Sequence, residues 1–72
     1  MANFKDVKRF CEKEHWESFR EGNDHYWYRK EDAEGNLRVI KISRGTKEIG
    51  PGLFHNILKQ LGVTKEYFKS KI

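Results

Sequence analysis

Phe4, Val7, Phe10 and Cys11 recur at helical spacing, so a single apolar stripe predicts a first helix over residues 4 to 14. Asn3 stands where a capping side chain is needed, and Asp6, three residues on, complements the positive end of the helix dipole. From Trp16 the period changes. Residues 16 to 20 and 25 to 30 are short aromatic-rich segments on either side of Glu21-Gly22-Asn23-Asp24, a turn by composition, and they read as antiparallel strands. A third strand, 37 to 43, follows Asp32-Ala33-Glu34-Gly35-Asn36, where Gly35 or Asn36 can take a positive φ and close a hairpin. Pro51 fits the first turn of a second helix and Gly62 its C-terminal cap, with Leu53, Phe54, Ile57, Leu58 and Leu61 forming a broad apolar face between them. Thr64 can cap a last short helix that carries Tyr67 and Phe68 as core-covering side chains. The order α-β-β-β-α with a terminal helical turn predicts an α+β domain, its helices on one face of a three-stranded antiparallel meander.

Strand alternation sets His25, Trp27 and Arg29 on one face and Tyr26, Tyr28 and Lys30 on the other. With a bulge at Gly35 and Lys30 paired to Asn36, Trp27 faces Val39 and His25 faces Lys41, while Ile40 and Ile42 join the tyrosines under the helices. A one-residue slip would instead set the isoleucines beside Trp27 and His25 and send Lys41 to the tyrosine side. The bulged register is the expectation. It leaves an open face bearing an imidazole, a lysine, an arginine and an indole, groups that together transfer a proton, hold phosphate and stack on a base.

Composition narrows the function. Seventy-two residues leave room for one small domain over 1–72 and no transmembrane span, since the longest apolar run is Tyr26-Trp27-Tyr28. A multidomain enzyme is not expected. A chain this short buries about 60% of its unfolded surface, so any site should be shallow, and the core must lean on ten aromatic side chains. The lone Cys11 forms no internal disulfide, and the first residues lack the apolar core of a signal peptide, so a reducing, cytoplasmic location is expected. The net charge of +4 is uneven: residues 1 to 36 hold 7 basic and 9 acidic side chains, residues 37 to 72 hold 8 and 2. If Arg38, Lys41, Arg44 and Lys47 share one surface, their field suits a polyanion, nucleic acid foremost. Charge alone reads more simply as a solubilising surface.

Of the three histidines, His15 ends the first helix, where a cation meets the negative dipole end, and His55 lies at the edge of the second helix's apolar face. Their spacing matches no metal motif, and no metal site is expected. His25 opens a strand directly after a turn; by position alone it is an ordinary strand histidine, and its neighbours make it the candidate for proton transfer. No nucleophile competes, because Ser18, Ser43 and Ser70 lack a histidine motif and Cys11 sits on an apolar stripe. Gly45, Gly50 and Gly52 are too irregular for a phosphate loop.

Lys47-Glu48-Ile49-Gly50-Pro51-Gly52-Leu53 and the following Ile57-Leu58-Lys59-Gln60-Leu61-Gly62 are similar to motifs of the HicA mRNA-interferase toxins of type II toxin-antitoxin systems. His25-Tyr26-Trp27-Tyr28-Arg29 resembles that family's strand, which opens with the catalytic histidine of a Gly-Ser-His motif; here Asn23-Asp24-His25 stands instead. A Pro-x-His segment that many members carry after the third strand is replaced by Ile42-Ser43-Arg44-Gly45. The resemblance covers nearly the whole chain and implies a double-stranded-RNA-binding-like fold and a ribonuclease that cuts mRNA without metal or cofactor and is silenced by a HicB-type antitoxin. It implies His25 as acid or base, with Lys41 and Arg29 holding phosphate, Arg44 and Lys47 guiding the strand, and Trp27 stacking on a base or meeting the antitoxin. Two alternatives belong beside it: a non-catalytic RNA-binding module, and an inactive relative acting through a partner.

Overall fold

The computed structural model describes residues 2–45 and 47–72. Helix α1 (Phe4–Lys13) is followed by strands β1 (Glu17–Glu21), β2 (His25–Glu31) and β3 (Leu37–Ser43), then by helices α2 (Pro51–Leu61) and α3 (Lys65–Lys71). The strands form one antiparallel sheet in the order β1-β2-β3. This is the α+β meander expected from the hydrophobic pattern, and it is consistent with a double-stranded-RNA-binding-like arrangement.

Helix α1 begins with a capping box: Asp6 N–H donates to the Asn3 side chain (2.9 Å) and Asn3 N–H to the Asp6 carboxylate (3.1 Å). It ends one residue before the sequence suggested. Glu14 is the C-cap, His15 adopts φ 64°, and Trp16 N–H returns to the Cys11 carbonyl (2.9 Å), a Schellman closure with histidine where glycine is usual. Trp16 is therefore a buried core residue beyond the helix end rather than the first residue of a strand.

The core lies between the sheet and the helices. Val7, Phe10 and Cys11 of α1, Tyr28 of β2, Ile40 and Ile42 of β3, Ile57 and Leu61 of α2 and Phe68 of α3 are buried together. Phe68 is central, 5.0 Å from the Phe10 ring and 5.3 Å from Phe54, whereas Tyr67 stays exposed with its hydroxyl on Glu14. Leu53, expected on the buried face of α2, is instead half exposed. Ile49 anchors the α2 approach, its N–H bonded to the Ala2 carbonyl (3.0 Å) and its side chain fully covered.

The expected faces hold while the expected pairs shift by two residues. Trp27 pairs with Lys41, His25 with Ser43 and Arg29 with Val39. The bulge glycine is Gly35, at φ 85°, but the closing pair is Asp32 with Asn36 rather than Lys30 with Asn36. Asp32 decides this: its carboxylate accepts from Glu34 N–H and Asn36 N–H (2.9 Å each), while Gly35 N–H closes the turn onto the Asp32 carbonyl (3.0 Å). A two-residue shift preserves alternation, so Tyr26, Tyr28, Ile40 and Ile42 still meet the helices.

The four cations 38, 41, 44 and 47 do not share one surface. Arg38 points to the helix side, where its guanidinium donates to the Lys59 and Gln60 carbonyls (3.3 and 3.4 Å) and pairs with Asp32. There it satisfies the open C-terminus of α2, and a side chain on Gly62 would crowd it at 3.2 Å.

Candidate functional site

The sheet face away from the helices is uncovered. Alternation delivers His25, Trp27 and Arg29 from β2 and Leu37, Val39, Lys41 and Ser43 from β3 onto it. On β1 a bulge between Ser18 and Arg20 breaks the alternation, so Arg20, not Phe19, pairs with Trp27. Arg20 then lies over the indole with Cζ 4.6 Å from a ring centroid, and Lys41 Nζ approaches the same ring at 5.6 Å. Arg29 lies over the displaced Phe19 ring at 5.0 Å and forms an ion pair with Glu17.

His25 opens β2 at the rim of this face, half buried, its ring 5.8 Å from the Trp27 ring and tilted 55° to it. A short turn holds it there. Gly22 N–H donates to the His25 carbonyl (2.9 Å), leaving Asn23 and Asp24 as the loop, and neither takes a positive φ. Gly22 itself is needed for space, because a Cβ there would stand 3.2 Å from the indole. The imidazole, the indole and Lys41 are thus brought together, with Ser43 across the ladder from His25.

Arg44 has a different position from the one the sequence suggested. Its Nε donates to the Gly22 carbonyl (2.9 Å), one terminal nitrogen to the Tyr26 hydroxyl (2.9 Å), and the other to Glu21 (2.6 Å), while its own N–H bonds the Asp24 carbonyl (2.9 Å). Its guanidinium also stacks on Tyr26 at 4.3 Å. It latches the turn that carries His25. Lys47 stands by the start of α1, its carbonyl accepting from Phe4 N–H (3.2 Å), not among the strand residues.

Sequence reasoning did not place Arg20 over Trp27 or Ser43 opposite His25: the β1 bulge that aims Arg20 has no glycine to mark it, and the pairing of Ser43 with His25 depends on the exact hairpin register. Cys11 is confirmed as a packed thiol, its pKa pushed up to about 12 by burial. Among the described residues no three His, Cys, Asp or Glu side chains converge as a metal site would require, and no helix is long and apolar enough to cross a membrane.

Compared with known families, residues 4–63 match the family model described as the HicA toxin of bacterial toxin-antitoxin systems. The match spans every element from α1 through the end of α2. No curated protein and no solved structure matches the chain.

Proposed function

The chain belongs to the HicA toxin family of bacterial toxin-antitoxin systems, known as mRNA interferases, and from that premise we propose that it is a metal-independent endoribonuclease whose His25 moves the reacting proton. The observation that carries the reading is the placement of His25, half buried at the rim of an uncovered face, beside an indole contacted by two cations.

The transfer needs a base and an acid, of which His25 is one and solvent water the other. A base takes the proton of a ribose 2′-hydroxyl, the oxygen attacks the adjacent phosphorus, and the bond to the 5′-oxygen breaks as that oxygen accepts a proton. A 2′,3′-cyclic phosphate and a 5′-hydroxyl result. His25 serves as base or acid; Lys41 stabilises the charge that develops on phosphorus, and Arg29, four strand positions from His25 and paired with Glu17, holds a phosphate farther along the strand. Trp27 offers a stacking platform for a base next to the cut. Arg44 acts as a positioning residue through the His25 turn, and Lys47 steers the strand from outside the reacting face.

The same face suits a HicB-type antitoxin. Phe19, Val39 and Leu37 are 39, 46 and 62% exposed and run from beside Trp27 to the far end of the open face, an apolar collar that a partner can cover while masking His25. The protein acts in the cytoplasm, where a protonated, buried Cys11 thiol is undisturbed. Inducing the wild type and His25→Ala without antitoxin tests the proposal. Growth arrest with mRNA fragmentation is expected from the wild type alone; equal toxicity defeats the catalytic assignment, and RNA binding retained without cleavage by the wild type favours a binding module.

A further inference from the structure

A second cationic feature lies round the end of the sheet from His25. A cleft of about 410 Å³ opens between α1 and the Tyr26 end of the strands, lined by Lys5, Lys8, Arg9 and Glu12 of α1 with Tyr26 and Ser43. Glu12 is taken up by Lys8 (2.8 Å), a contact that raises the Lys8 pKa and keeps it charged, and Lys8 lies over the Tyr26 ring at 5.1 Å. Asp6, the other acid on this helix, is engaged in the N-terminal capping box. Lys5 and Arg9 are different: they are exposed, four residues apart on one helix edge, and among the described residues neither forms an ion pair. Like charges at this spacing disfavour a helix, so the pair is not explained by the stability of α1.

Ser43 connects this cleft to the open face, since it lines the cleft and is the ladder partner of His25. A strand of RNA with its scissile phosphate at His25 can therefore turn over the sheet end and set a neighbouring phosphate into the cleft. We propose that Lys5 and Arg9 form a subsite for backbone phosphates flanking the cut, an inference that rests on the nuclease reading and deepens it. Phosphate suits the site better than a protein carboxylate surface, because two long cations flank one narrow cleft continuous with the reacting face, whereas the apolar collar lies on the other side of the sheet. Such contacts hold the strand without reading its sequence.

Binding to an RNA fully 2′-O-methylated, and so uncleavable, is measured across a salt series for the wild type, Lys5→Ala/Arg9→Ala and Lys69→Ala/Lys71→Ala. Each single-strand phosphate contact contributes about 0.7 to the slope of log K against log salt, so the α1 pair should flatten it by about 1.4. The α3 pair removes the same charge and should leave the slope unchanged. Equal flattening by both pairs, or no flattening by the α1 pair, overturns the subsite; loss of antitoxin binding alone with an unaltered slope reassigns these residues to a protein contact and overturns it too. A wild type that cleaves RNA while the α1 pair leaves the slope unaltered fails only this inference, whereas a wild type that neither binds nor cleaves RNA fails the nuclease reading with it.

Discussion

The two faces of the sheet are made by the same strands and have opposite contents. Towards the helices, Tyr28, Ile40 and Ile42 are almost wholly covered, and Arg38 and Arg44 have every charge assigned to a carbonyl, carboxylate or hydroxyl. On the other side, exposed Val39 and Leu37 continue the face beyond the half-buried Trp27, and Lys41 and Arg20 rest on the indole rather than on carboxylates. On the helix side the strands' own cations and apolar groups find their partners within the chain. The other side holds apolar area and positive charge that folding does not consume, which is what a surface made for an anionic ligand or a partner looks like.

That contrast can be broken most forcefully from the covered side. Phe68→Ala should cost about 3–5 kcal/mol in denaturant unfolding, a large share of what a domain this size possesses. Trp27→Ala should cost less stability than Phe68→Ala but weaken single-stranded RNA binding by about 1–3 kcal/mol. If the two substitutions destabilise equally, the open face is structural and the contrast fails. Arg44→Ala should cost about 1 kcal/mol, since the guanidinium is partly exposed, and should raise amide exchange at Gly22. Arg44→Lys should not restore the protection, because an ammonium cannot make the three-way fork. His15→Gly should stabilise by up to about 1 kcal/mol by relieving its left-handed backbone.

The smallest effect is on acid stability. The Asn36 N–H, then that of Glu34, then Arg38, hold the Asp32 carboxyl below its ordinary pKa. Its folded value being lower than its unfolded one, the stabilisation is present above roughly pH 4 and is lost as pH falls through the folded value. Asp32→Asn should therefore flatten the acid limb of the stability curve; an unchanged limb would show that these contacts do not hold the Asp32 carboxyl down.

Much of this is legible in the sequence. Alternation grouped Tyr26 with Tyr28 and His25 with Trp27, and the bulged register at Gly35 added Ile40 and Ile42 to the first pair and Lys41 to the second; the assignment stands because burial acts on parity and parity survives a two-residue shift. The pairing partners were not legible, since they depend on the Asp32 carboxylate reaching two backbone amides inside a five-residue segment. Arg38 and Arg44 were indistinguishable from Lys41 as charges along the chain; only three-dimensional contact shows that one caps α2 and the other latches a turn. Trp16 belongs to the core through a left-handed histidine, a conformation that residue type disfavours and sequence pattern gives no reason to expect.

The most direct test of the open face is single-turnover cleavage of one mRNA by the purified wild type and by His25→Ala, each verified as folded by its unfolding curve. If the imidazole exchanges the reacting proton, the substitution slows cleavage by about 10²–10⁴-fold while RNA affinity is retained. Equal cleavage rates would contradict it and return the histidine to an ordinary place at the start of a strand.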